Sequence, residues 1–229
     1  MRRILVMATR NAGKVDEIRR LLDGMDLDVR SLADYPGVPE VVEDGETFLD
    51  NALKKALTVS AATGCLALAD DSGLEVDALG GAPGVRSARF AGEGASDAEN
   101  NAKLLELLAG LPEERRTARF RCVLVLADPS GRRVFAQGAC EGRITVKPAG
   151  TGGFGYDPVF FVPAVGRTMA ELEPAEKNRI SHRGEALRRL MEVLPEFVKD
   201  CAAKTSESDP DQKARDALPA GRQEGTKLE

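Results

Sequence analysis

The chain has 229 residues, enough for one large domain or one domain of two lobes around a full hydrophobic core. With 42% hydrophobic and 30% charged residues it has the composition of a soluble globular protein. A formal net charge of −5, with a pI near 5.2, excludes the basic surface that broad nucleic-acid binding requires.

In chain order, Arg3 to Ala8 reads as a buried strand, and Val15, Ile18, Leu21 and Leu22 then repeat with a helical period after Gly13. Leu27 to Ser31 is a second strand, and Pro36, Gly37 and Pro39 mark an irregular loop. Thr47 to about Thr63 predicts a long helix with Phe48, Ala52, Ala56 and Val59 as its apolar stripe. Leu66 to Ala69 is a strand ending in Asp70-Asp71-Ser72-Gly73, and Asp97 is the expected N-cap of a helix running to about Ala109. Thr117 to Leu126 and Arg132 to Glu141 both alternate and flank Asp128-Pro129-Ser130-Gly131, the signature of an antiparallel hairpin. Pro158 to Val162 is a further short strand, and a last helix starts near Ser181 with Ala186, Leu187, Leu190, Met191 and Leu194 inward. From about Ala202 the chain is polar and poor in large apolar residues, which predicts a folded region over 1–200 and a disordered tail over 201–229. The mixture of βα units and a hairpin implies an α/β fold with a mixed sheet.

No segment approaches the roughly 18 apolar residues of a membrane span, and Met1 to Met7 meets Thr9 and Arg10 too soon for a signal peptide. Cys65, Cys122, Cys140 and Cys201 are widely spaced with no C-x-x-C pair, as expected of reduced thiols in a cytoplasmic protein. His182 is the sole histidine, which excludes a multi-histidine metal site.

Five polar or glycine-rich clusters carry the candidate chemistry. Thr9-Arg10-Asn11-Ala12-Gly13-Lys14 joins a strand to a helix, where backbone N–H groups, a hydroxyl and a lysine form an anion cradle. It is not a Walker A loop, because the first glycine and the Ser/Thr after the lysine are absent. Glu43-Asp44-Gly45 and Asp70-Asp71-Ser72-Gly73-Leu74 supply loop carboxylates suited to Mg²⁺ with phosphate oxygens, although any single one taken alone is more often a turn or cap residue. Asp70 and Asp71 are neighbours in extended chain, so they face opposite ways and serve different purposes. Gly150 to Pro158 combines four glycines with Phe154, Tyr156 and Asp157, and Phe160 and Phe161 follow; four of the ten aromatics fall within eight positions. Such a stretch suits a grip on a flat heterocycle, against the plainer reading of a glycine-rich hairpin with core aromatics. Lys177 and Ser181-His182-Arg183-Gly184 place cations in the first turn of the last helix, where the helix dipole disfavours them unless an anion is near.

These residues together resemble the inosine/xanthosine triphosphate pyrophosphatase family. The resemblance runs from Ile4 to about Val198 and rests on Thr9-x-Asn11-x-x-Lys14, Glu43-x-Gly45-x-Thr47-Phe48-x-x-Asn51-Ala52, Asp70 to Leu74, Gly80 to Gly84, Ser87-Ala88-Arg89, Gly150 to Pro158 and Glu176-Lys177 through Gly184. It implies an elongated mixed sheet with flanking helices, two lobes around a central cleft, and a homodimer. It also implies Mg²⁺-dependent hydrolysis of ITP, dITP and XTP to monophosphate and pyrophosphate. By the same resemblance Asp71 is the proton acceptor, and Glu43 and Asp71 are the metal-site carboxylates. Thr9 through Lys14, Lys55 and Ser72 then bind the triphosphate, while Phe154, Gly155, Tyr156, Asp157, Lys177, His182 and Arg183 bind base and sugar. Asp157 is expected to accept from the N1–H of hypoxanthine or xanthine, which adenine lacks and guanine shares. The rival functions are a purine nucleotide-binding module without turnover, which would not need Glu43 and Asp71, and a phosphotransferase.

Overall fold

The computed structural model describes residues 3–207. The chain divides into two compact units, Met1–Val193 and Leu194–Glu229. The first holds a seven-stranded mixed sheet: β1 (Arg3–Met7), β2 (Leu27–Ser31), β3 (Leu66–Val76), β4 (Thr117–Ala127), β5 (Arg133–Ile144), β6 (Phe160–Val162) and β7 (Arg167–Thr168), in the spatial order β2-β1-β3-β4-β5-β6-β7. The helices are α1 (Ala12–Leu21), α2 (Phe48–Thr63), α3 (Asp97–Leu107), α4 (Pro174–Ile180) and α5 (His182–Glu207), the last of which continues into the second unit. Residues 208–229, most of the expected tail, lie outside the described residues. Among the described residues no helix is long and apolar enough to cross a membrane.

β1 pairs in parallel with β2 and β3, whereas β3, β4, β5, β6 and β7 run antiparallel to one another. The hairpin expected around Asp128 is present, and Asp128 Oδ1 accepts from the Ser130 and Arg132 N–H groups and closes the turn. The strand expected to stop at Ala69 continues to Val76. Ten successive pairings with β4, from Ala67↔Ala127 to Val76↔Ala118, satisfy its backbone, so polar Asp70-Asp71-Ser72-Gly73 lies within a strand and not after one. β1, by contrast, is paired to β3 only as far as Met7↔Leu68. Beyond that point β3 keeps β4 on one edge; on the other, Ser87 of the Gly84–Arg89 turn accepts the Leu74 N–H at 2.9 Å, and among the described residues no strand pairs with Asp70–Ser72. This open edge fixes the place of the site.

Side chains alternate across β3. Ala67 and Ala69 face a core with Val6, Val123, Val125 and the α2 residues Ala52, Ala56 and Val59. Leu74 and Val76 face a second core with Leu104 and Leu108, Phe120, Cys140 and Phe160. Helix starts are set by short polar side chains: Thr47 and Ser96 cap α2 and α3 through reciprocal boxes with Asp50 and Glu99. Ser96 replaces the expected Asp97 as cap because its hydroxyl lies three residues before Glu99, which lets the box close.

Candidate active site

Asp70 and Asp71 point to opposite faces of β3, as the alternation predicts, and each gathers its own cluster. On the α2 face, Lys55 Nζ donates to Asp71 Oδ1 at 2.9 Å, to Glu43 Oε1 at 2.9 Å and to the Asp70 carbonyl at 2.8 Å. Asn51, one turn before Lys55 on α2, donates to Asp71 Oδ2 at 3.3 Å and accepts from the Gly45 N–H at 2.8 Å. Burial raises the Asp71 carboxyl, and the Lys55 and Lys14 charges counter this only in part. Burial alone would lower Lys55; Asp71 and Glu43 outweigh it and hold the ammonium charged. Two carboxylates thus share one cation, which leaves a surplus of negative charge built from hard oxygen donors. Among the described residues no three His, Cys, Asp or Glu side chains form a metal cage. A pair of carboxylates completed by phosphate oxygens is the donor set that Mg²⁺ takes, so Glu43 and Asp71 fit that ion.

On the opposite face, Asp70 is fully buried and receives Lys14 Nζ at 2.5 Å and Arg183 Nε at 2.8 Å. Its carboxyl would be raised by burial, but Arg183 and Lys14 hold it well below the usual range. Arg183 also pairs with Glu17, and Glu17 receives Lys177 Nζ at 2.7 Å. Burial opposes ionisation of Glu17 too, yet Arg183 and Lys177 pull its carboxyl below the ordinary value. Lys177 completes the network on Asp157 Oδ2 at 2.6 Å. Three cations therefore meet three carboxylates, Asp70, Glu17 and Asp157. The anions that permit a cation in the first turn of α5 are the protein's own Asp70 and Glu17. His182 is not a second cation. Burial, followed by the charge of Arg183, pushes it well below its ordinary value, and its neutral ring stacks on Phe120 with centroids 4.8 Å apart. Ser181 sets the start of α5, accepting from the Gly184 N–H at 3.0 Å.

A cavity of about 120 Å³ opens beside this network, lined by Asn11, Lys14, Ser72, Phe154, Gly155, Tyr156, Asp157, Lys177, His182 and Arg183, ten of the residues singled out from the sequence. The others fall around it. Asn11 Oδ1 accepts from the Lys14 N–H at 3.1 Å and caps α1, and Thr9 Oγ1 accepts from the Asn11 N–H at 3.1 Å. Arg10 and Ala12 are exposed on the same turn. Gly13 lies under the Phe154 ring, where a Cβ would come within 2.8 Å of Cδ1. Glu43, Lys55 and Asp71 form the cluster across the strand. The aromatic group divides: Phe154 faces the cavity with Lys177 Nζ 4.7 Å from its centroid, and Tyr156 is buried with its hydroxyl donating to the Ser87 carbonyl at 2.9 Å. Phe160 is wholly in the core and Phe161 packs under Arg143, so neither belongs to a base grip. Core packing claims the Phe160 ring, and Arg143 of β5 covers that of Phe161 on the other face. Asp157 Oδ2 is engaged by the Phe154 N–H at 2.9 Å and by Lys177, which leaves only Oδ1 for the expected bond to a base N1–H.

A family model described as the Ham1 family matches residues 5–193. The chain belongs to the Ham1 family. Among curated relatives, the dITP/XTP pyrophosphatase of Desulforamulus reducens is 60% identical over 190 residues, covering 83% of this chain and 94% of the relative. That of Geobacter sulfurreducens is 57% identical over 190 residues, covering 83% and 96%. The solved structure of a HAM1 protein from Coxiella burnetii superposes with a TM-score of 0.77 at 44% identity, covering 85% of this chain and 99% of that one.

Six further residues line the cavity of this Ham1 protein without having been assigned to ligand binding from the sequence: Gly73, Ser87, Ala88, Asp97, Asn100 and Phe120. Glu17, behind the cavity, was missed as well. Glu17 lies off the apolar stripe of α1, so helical periodicity carries no signal for it; the structure buries it against Arg183 and Lys177. For Phe120 there was no signal either, because its alternation in β4 is that of any core residue.

Proposed function

We propose that this Ham1 protein hydrolyses the non-standard purine nucleoside triphosphates ITP, dITP and XTP to the monophosphate and pyrophosphate with Mg²⁺. The observation that carries this reading is the division of charge at the open edge of β3. A balanced ion network with an aromatic cavity lies on one face, and an acid-rich cluster lies on the other. The names of the curated relatives, dITP/XTP pyrophosphatase, support the same reaction.

In this reading the triphosphate lies across the open edge. The N–H groups at the start of α1, Lys14 and Ser72 receive its oxygens, and Lys55 neutralises them further. Glu43 and Asp71 hold Mg²⁺, which when bound offsets the negative charge that develops on the phosphates. Asp71, its proton affinity raised by burial, takes the proton of the attacking water, a contribution typically of about 10²–10⁴ in rate. No side-chain nucleophile is required. Phe154 stacks on the base, and Lys177, held by Glu17 and Asp157, presents a donor to O6. Adenine offers an amino donor at that position and meets a mismatch, which can cost several orders of magnitude. The reading includes a homodimer, as the family resemblance implies, and a cytosolic location, as the sequence composition suggests.

A panel of nucleotides with both products identified tests the function. ITP, dITP and XTP yield monophosphate and pyrophosphate much faster than ATP, GTP, CTP or UTP. Equal rates on ATP and ITP overturn the base reading, orthophosphate as first product overturns the reaction, and binding without turnover returns the non-catalytic module.

A further inference from the structure

The glycine-rich segment that carries Phe154 has no regular structure of its own between Gly150 and Tyr156, so its position must come from outside. The Ala170 carbonyl, which accepts the Gly152 N–H at 2.9 Å, holds its start, and helix α3 holds the part around Phe154. Asp97 Oδ2 accepts the Gly155 N–H at 2.6 Å, and Asn101, one turn further along the same face, donates Nδ2 to the Gly155 carbonyl at 3.0 Å. Both polar groups of Gly155 are thereby held by one helix, at a left-handed φ of 63° that a glycine adopts without strain. The preceding N–H, that of Phe154, goes to Asp157 Oδ2 at 2.9 Å. Consecutive backbone donors on either side of the Phe154 side chain thus end on two separate carboxylates, and bonds to an ionised acceptor are the stronger kind.

The helix that provides this grip is itself fixed. Asn100 accepts the Ala91 N–H at 2.7 Å and donates to the Ala88 carbonyl at 3.2 Å, which ties the first turn of α3 to the segment following Ser87. Tyr156 reaches the same segment through its bond to the Ser87 carbonyl. Asp97 is exposed and contributes nothing to either hydrophobic core, so its carboxylate is free of a packing role.

We propose that Asp97 is a positioning residue for base binding: through Gly155 it sets the plane and depth of the Phe154 ring, with Asn101 as the second point of attachment. The proposal rests on the reading of Phe154 as the base platform. It assigns Asp97 to the nucleoside end of the site alone, because Lys14, Ser72 and Lys55 are held by other elements.

The test uses the full chain and the variants Asp97→Ala and Asp97→Asn, with inorganic tripolyphosphate as a competing ligand that has no base. Loss of one charge-assisted bond to the loop should raise KM for ITP about tenfold in Asp97→Ala and leave kcat within about twofold. The inhibition constant of tripolyphosphate stays unchanged. Asp97→Asn keeps an acceptor oxygen and recovers most of the affinity. Amide hydrogen exchange gives a readout independent of turnover: the Phe154 and Gly155 amides exchange faster in Asp97→Ala, while β4 amides do not. An unchanged KM overturns the proposal, as does an equal shift in KM and in the tripolyphosphate constant, which marks a general structural loss. Asp97→Asn as impaired as Asp97→Ala overturns it too, since the carboxylate would then act on the nucleotide itself. Inactivity of the unmodified protein on ITP would fall on the functional reading, and the exchange measurement would still decide whether Asp97 holds the loop.

Discussion

Two adjacent aspartates of the same intrinsic acidity are driven apart by their neighbours. Burial acts on both, but Asp70 faces Arg183 and Lys14 and is held ionised, whereas Asp71 faces Lys55 with Glu43 nearby and is raised. On the proposed reading, that separation leaves Asp70 to scaffolding and Asp71 to chemistry. Asp71→Asn should lower kcat for ITP by about 10²–10⁴ with nucleotide binding retained, because the change removes a base and little volume. Turnover of the unmodified protein should fall as pH drops and the Asp71 carboxylate takes its proton; burial raises that carboxyl in the metal-free protein. The variant should lack this limb. A pH profile of kcat for both proteins checks the assignment, and near-normal turnover in Asp71→Asn refutes it. The opposite facing of the pair was legible from strand alternation alone. Their partners were not, since Lys55, Lys14 and Arg183 come from three helices far apart in sequence.

At the scale of elements, α5 is useful because its first turn presses directly on β5. A Cβ on Gly138 would stand 2.2 Å from the His182 carbonyl oxygen and 2.5 Å from the Ala186 nitrogen, both backbone atoms with no rotamer to yield. Gly138→Ala must therefore move the helix start, and overpacking of this kind costs about 1–3 kcal/mol. Urea unfolding should show that loss, and KM for ITP should rise as well, because His182 and Arg183 shift with the turn. Unchanged stability would show that α5 does not bear on β5 as described. The β4–β5 hairpin, α2 and the start of α5 were plain in the sequence, where periodicity and turn residues agree. The extension of β3 through Asp70–Gly73 was hidden, since polar residues in a strand are tolerated only where a partner strand and buried cations receive them. Helix α4 was also missed: seven residues opening on Pro174 leave too short a period to read.

Across the whole molecule, the early end of β1 creates the site. By stopping its pairing at Leu68 it leaves an edge of β3 uncovered, and on the proposed reading one extended ligand lies across that edge between the cavity and the carboxylate pair. The α/β class followed from the order of elements, but which strand borders which depends on contacts distant in sequence, and the open edge follows from that order. On this account, water attacks the phosphorus next to the nucleoside while Lys14, Ser72 and the α1 N-terminus keep the outer phosphates together as the leaving group. Hydrolysis of ITP in ¹⁸O-labelled water, with each product weighed by mass spectrometry, tests this most directly. The account predicts the label in inosine monophosphate and none in pyrophosphate; label in pyrophosphate, or in orthophosphate, would contradict it.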